Sequence, residues 1–78
     1  MRKHMARRKA IASVLTEARL EAGMSQRALS DKLGEAVTYI HEIEALQHGV
    51  RVEEFIALAE ALEIEPIELL RRVLRGKT

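Results

Sequence analysis

The chain has no cysteine and no tryptophan, and its 78 residues include one tyrosine, one phenylalanine and one proline. Without cysteine there is no disulfide scaffold and no cysteine-based metal site, which fits a reducing compartment. With so few aromatics, any core must be aliphatic. No apolar run approaches the roughly 20 residues that span a bilayer. The basic start is not followed by the apolar segment of a secretory signal. Alternating apolar and polar runs are absent, as are Asn-Gly and Asp-Gly turns, so no strand or hairpin is expected. There is no internal repeat, low-complexity segment or linker. Acids are missing from residues 1–10, which carry Arg2, Lys3, Arg7, Arg8 and Lys9. The remaining 68 residues hold eight cations and twelve acids, so the overall charge of +1 hides a basic end on an acidic body.

What is present has helical period. Ile11, Leu15, Ala18 and Ala22 mark one stripe, ended by Gly23. Ser25 suits the N-cap of a second helix, over about residues 26–33, with Leu29 and Leu33 inward and Gly34 as its stop. A third helix is expected over about 36–47, with Val37, Ile40 and Ile43 inward and Gly49 as its stop. A fourth carries Val52, Phe55, Ile56, Ala59 and Leu62. A fifth opens on Pro66 and carries Ile67, Leu70, Val73 and Leu74. Short helices with short connections predict one compact all-α domain, a five-helix bundle over 10–76, preceded by a basic arm over 1–9.

Helices two and three, joined at Gly34, have the punctuation of a helix-turn-helix, in which the second member enters the DNA major groove. From Leu15 to Leu70 the chain resembles the phage repressor and Cro family, the Xre type. The resemblance rests on Arg19, Gly23-Met24-Ser25-Gln26, Leu29, Leu33-Gly34, Ile40, Ile43-Glu44, Val52, Phe55, Ala59-Glu60-Ala61-Leu62 and Pro66-Ile67-Glu68-Leu69-Leu70. It implies a lambda-repressor-like DNA-binding domain with double-stranded DNA as partner. It also implies an ion pair between Arg19 and Glu44 across helices one and three.

On the proposed DNA face the chain departs from the family pattern. Positions 36, 37 and 38 are Ala, Val and Thr, position 42 is Glu, and Leu46 stands where the family usually has glycine. Apart from Glu44, residues 24–51 balance Arg27, Lys32 and Arg51 against Asp31, Glu35 and Glu42, so the basic arm is expected to supply phosphate contacts. Ala36 and Val37 can pack on thymine methyls, Thr38 can bond a base edge or a phosphate, and Glu42 can accept from a cytosine amino group. Gln26 is placed to hold a phosphate. Arg27, Tyr39, His41, Gln47, His48 and Arg51 are within reach of the DNA backbone.

The expected function is a sequence-specific transcriptional regulator, a cytoplasmic repressor acting as a homodimer on a near-palindromic operator. The dimer contact would use Ile67, Leu70, Val73 and Leu74, and a regulatory protein partner would fit a chain with no sensing domain. The alternative is a module of the same fold that binds protein, as an adaptor or antitoxin-type partner. His4, His41 and His48 lack a third ligand at metal spacing, so no metal is expected. Ser13, Ser25 and Ser30 have no evident acid–base partners, and no glycine-rich phosphate loop is present, so neither an enzyme nor a cofactor is expected.

Overall fold

The computed structural model describes residues 2–75, so Lys77 and position 76, the expected end of the domain, lie outside the described residues. The helices are α1 (Arg2–Glu21), α2 (Gln26–Lys32), α3 (Tyr39–Glu44), α4 (Val52–Ala61) and α5 (Pro66–Arg75). No strand occurs among the described residues. None of these helices is long and apolar enough to cross a membrane. The five-helix, all-α expectation holds, with helix α1 packing on α3 and α5, α2 on α3, and α4 on α5.

The basic residues expected as a separate arm over 1–9 are, from residue 2, part of a helix. Residues 2–9 are the opening turns of α1, which runs 20 residues without a break. Neither proline nor glycine interrupts 2–21, and Ala, Arg, Lys and Met favour helix. Arg8 then reaches across the fold, its Nη2 donating to the Leu46 carbonyl at 3.3 Å.

Buried faces differ from the predicted stripes where a helix meets more than one neighbour. Helix α1 buries Ala10, Ala12, Val14, Leu15 and Ala18, a wider band than one stripe, because α3 and α5 both contact it. Ala22 is exposed. In α4 the core residues are Leu58, Ala59 and Leu62, with Phe55 half-buried, while Val52 and Ile56 face solvent. In α5 the buried pair is Leu69 and Val73, spaced i, i+4.

Local chemistry sets the ends. Ser25 caps α2, its Oγ accepting from the Ala28 amide at 3.0 Å. Pro66 occupies the first position of α5, and the Glu65 carboxylate before it accepts from the Glu68 amide at 3.0 Å. At the C-termini of α1, α2, α3 and α4 the same double turn recurs. The second residue past the cap bonds back five positions along the chain (Met24 to Arg19, Glu35 to Ser30, Gln47 to Glu42, Ile64 to Ala59). This Schellman closure needs a left-handed residue, supplied by Gly23 and Gly34 at φ 72° in the first two. In the others it is Leu46 at φ 64° and Glu63 at φ 59°.

Helix α3 is therefore shorter than the expected 36–47. Ala36, Val37 and Thr38 form the tight turn ahead of it, closed by the Tyr39 amide on the Ala36 carbonyl at 2.9 Å. Its stop is Leu46 rather than Gly49. Starting at residue 39 makes Tyr39, Ile40 and Ile43 the inward set and leaves Val37 exposed.

Candidate nucleic-acid interface

Three elements meet at Glu44. Arg19 grips its carboxylate with two parallel bonds, Nε to Oε2 at 2.7 Å and Nη2 to Oε1 at 3.1 Å. The third guanidinium bond, from Nη1, goes to the Met24 carbonyl at 2.9 Å. Gln26, at the start of α2, donates Nε2 to Glu44 Oε1 at 2.8 Å. One carboxylate thus joins α1, the loop before α2, α2 and α3. Both ion-pair side chains are about nine-tenths buried. Burial alone would raise the Glu44 carboxyl, but the bonds from Arg19 and Gln26 outweigh it and hold it below the usual carboxylate range. The ion pair that the resemblance implied is formed.

A second tie fixes α2 to α3. Ser30 is fully buried, and its Oγ accepts from the Ile40 amide at 3.1 Å. The sequence reading misses this bond; its only signal is a serine lying between inward positions of a helix, at Leu29 and Leu33.

With α2 and α3 so held, Ala36, Val37, Thr38, His41 and Gln47 are exposed and Glu42 is half-buried. The Thr38 hydroxyl donates to Glu42 Oε2 at 3.1 Å, an i, i+4 contact. Arg27 and Arg51 are exposed on the flanking elements, at the start of α2 and of α4. The Arg51 amide donates to Glu54 Oε1 at 2.8 Å, which closes the first turn of α4.

Two expected DNA-backbone residues lie elsewhere. Tyr39 is a core residue, only 8% exposed, because α3 begins at that position and turns it inward. Its ring meets His48 edge-on with centroids 5.5 Å apart, and burial together with Glu54 pushes its phenol above the ordinary range. His48 Nε2 lies 3.5 Å from Glu54 Oε2, so this histidine braces the loop after α3. Arg51's amide, His48 and Tyr39 together hold the Glu54 carboxyl below its usual range. Lys32 is also diverted: its Nζ donates to the Ala61 carbonyl at the end of α4 at 2.6 Å. Among the described residues no group of three His, Cys, Asp or Glu side chains is placed to hold a metal ion.

Ile67, Leu70 and Leu74 of α5 are exposed, at 53%, 43% and 48%. Val73, expected beside them in a dimer contact, is 1% exposed and belongs to the protomer's own core. The i, i+4 spacing of Leu69 and Val73 points that face of α5 inward.

A short capped helix, a tight glycine turn and a second helix clamped by a buried arginine–glutamate pair define a helix-turn-helix domain. A family model described as helix-turn-helix matches residues 15–69. The chain belongs to that family, the Xre type of DNA-binding transcription regulators. Among solved structures, the chain is similar to an Xre-family-like protein from Pseudomonas syringae pv. tomato, at 28% identity and TM-score 0.84 over 96% of this chain and 92% of that one. The wild-type restriction-modification controller protein C.Esp1396I matches at 23% identity and TM-score 0.82, covering 88% of each chain. The clp gene regulator ClgR from Corynebacterium glutamicum matches at 21% identity and TM-score 0.83, over 91% of this chain and 76% of that one. The latter two likenesses, being below 25% identity, speak for the fold. No curated protein matches the sequence.

Proposed function

We propose that this chain is a sequence-specific repressor that binds a near-palindromic operator as a homodimer. The observation that carries the reading is the edge formed by the exposed turn Ala36, Val37 and Thr38 with exposed His41 and half-buried Glu42 of α3, held by helices locked together at Glu44. Such an edge can enter a major groove without rearranging, with its leading residues on base edges. Gln26, Arg27, Gln47 and Arg51 flank it and would meet phosphates, joined by Lys9 of α1, which lies beside Glu44 and Leu46. Membership of the helix-turn-helix family of transcription regulators supports a role in transcription.

The dimer would form through Ile67, Leu70 and Leu74, with Val52 and Ile56 exposed on the adjoining helix α4. A two-fold contact of this kind presents two reading edges and matches an operator of paired half-sites. Acting on chromosomal or phage DNA places the protein in the cytoplasm, with occupancy set by its own concentration or by a protein partner.

Selection of bound duplexes from a random library, with molecular mass measured in solution, tests the proposal. A roughly palindromic enriched motif bound by a dimer is expected. A folded protein that enriches nothing and ignores duplex DNA at low salt would overturn it and favour the protein-binding alternative.

A further inference from the structure

We infer that Thr38 and Glu42 form a single acceptor-only reading unit that takes the amino group of a cytosine, an assignment that rests on the DNA-reading proposal above. A threonine hydroxyl has one proton, and here that proton is donated to Glu42 Oε2 at 3.1 Å. What the hydroxyl has left to offer a base is lone pairs. The Glu42 carboxylate offers only acceptors as well. No ion pair among the described residues involves Glu42, so no guanidinium or ammonium beside it converts the site into a donor. Of the neighbouring exposed side chains, Ala36 and Val37 are apolar, and His41, the one ring donor on this edge, makes no hydrogen bond to Thr38 or Glu42.

The base edges in the major groove sort against such a unit unequally. Guanine presents two acceptors, N7 and O6, and thymine presents O4; each would face an acceptor here. Adenine offers its N6 amine beside an acceptor at N7, which would confront the second carboxylate oxygen. Cytosine offers its N4 amine with no acceptor on its own major-groove edge. Cytosine is therefore the preferred base and adenine the second. A thymine next to it would place its methyl against Val37.

A chemical probe isolates the contact. In a paired N4-methylcytosine the one remaining N–H is used by the base pair, and the groove receives a methyl where the donor was. In 5-methylcytosine the groove donor is kept. The experiment selects duplexes with the wild type, Glu42→Gln and Thr38→Val, each checked for folding by circular dichroism. The wild-type motif is then titrated with each half-site cytosine replaced in turn by the two methylated forms. The expected result is an enriched cytosine at which N4-methylation weakens binding roughly tenfold or more while 5-methylation does not. Glu42→Gln, which can donate and accept, moves the enriched base toward adenine. Thr38→Val flattens the preference and keeps duplex binding. An enriched motif that is identical for the wild type and Glu42→Gln and indifferent to N4-methylation overturns the assignment and leaves the reader proposal standing. A folded wild type that retains no duplex overturns both.

Discussion

At Glu44, three donors from two residues converge on one carboxylate that water barely reaches. Removing one member of such a pair leaves the other buried and uncompensated, which costs about 3 kcal/mol or more. A domain of this size holds only about 5–10 kcal/mol in total. Arg19→Ala should therefore lower the melting temperature by roughly 15 °C, read by thermal circular dichroism. The acid response follows from the depressed Glu44 carboxyl. In the unfolded chain it titrates near the ordinary glutamate value of about 4.3. Its contribution to stability is complete above that pH and disappears as pH falls through the lower folded value. Between pH 6 and pH 3 the wild type should lose melting temperature more steeply than Glu44→Gln, compared under the same conditions. Parallel slopes would show that the carboxylate contributes nothing through its charge.

Among the elements, the instructive positions are the four C-terminal closures. Two use glycine, whereas Leu46 and Glu63 hold the left-handed conformation with a side chain attached, at a cost of about 1 kcal/mol each. Glu63 is exposed, so Glu63→Gly should relieve the strain without removing any packing and raise the melting temperature by about 4–8 °C. Leu46 is half-buried between α1 and the end of α3, and Leu46→Gly should be near neutral, since about 1 kcal/mol of burial disappears with the strain. Calorimetry of the two variants would separate these cases. These closures also mark what can be read from sequence. The stops of the first two helices are legible, because Gly23 and Gly34 announce a left-handed residue and Ser25 announces a cap. The stop of the third is not legible from the residues themselves, because a leucine does not signal a positive φ and the next glycine is Gly49; only the family's usual glycine at position 46 marks it. Periodicity finds Leu15, Ala18, Ile40 and Ile43. It misses Leu58 and Leu69, since α4 and α5 each carry more apolar positions than their core faces need. The Arg19–Glu44 pair is legible only through the family register, as nothing in a separation of 25 residues dictates contact.

At the scale of the whole molecule, two exposed surfaces are set apart by their chemistry, the reading edge and the apolar residues Ile67, Leu70 and Leu74 of α5. The reading edge carries a carboxylate and no lysine, and cations flank it or ride on α1. Replacing Lys9 by alanine should weaken binding to all duplexes alike and reduce the salt slope by about one. Arg8→Ala should act differently, lowering stability, because Arg8 is held by the Leu46 carbonyl. Fluorescence anisotropy over a salt series, with melting curves, distinguishes the two outcomes. On α5, Leu70→Asp combined with Leu74→Asp should give a folded monomer that binds DNA weakly. Val73→Ala should instead lower stability by about 2 kcal/mol, since that side chain lies within the protomer. Sedimentation and denaturant titration would check the two variants.

The unbroken course of α1 has a consequence for how the protein searches and settles. A loose arm would be ordered on arrival, losing entropy, and could stretch to suit the site. Lys9 stands instead on a rod that advances about 1.5 Å per residue and is already in place. A phosphate bound there, as proposed, would order a side chain but no backbone, and the helix cannot stretch to suit the site. If Lys9, which lies beside Glu44 and Leu46, meets a phosphate as proposed, its distance from the reading edge is a fixed gauge, and a backbone out of step with it forfeits that cation.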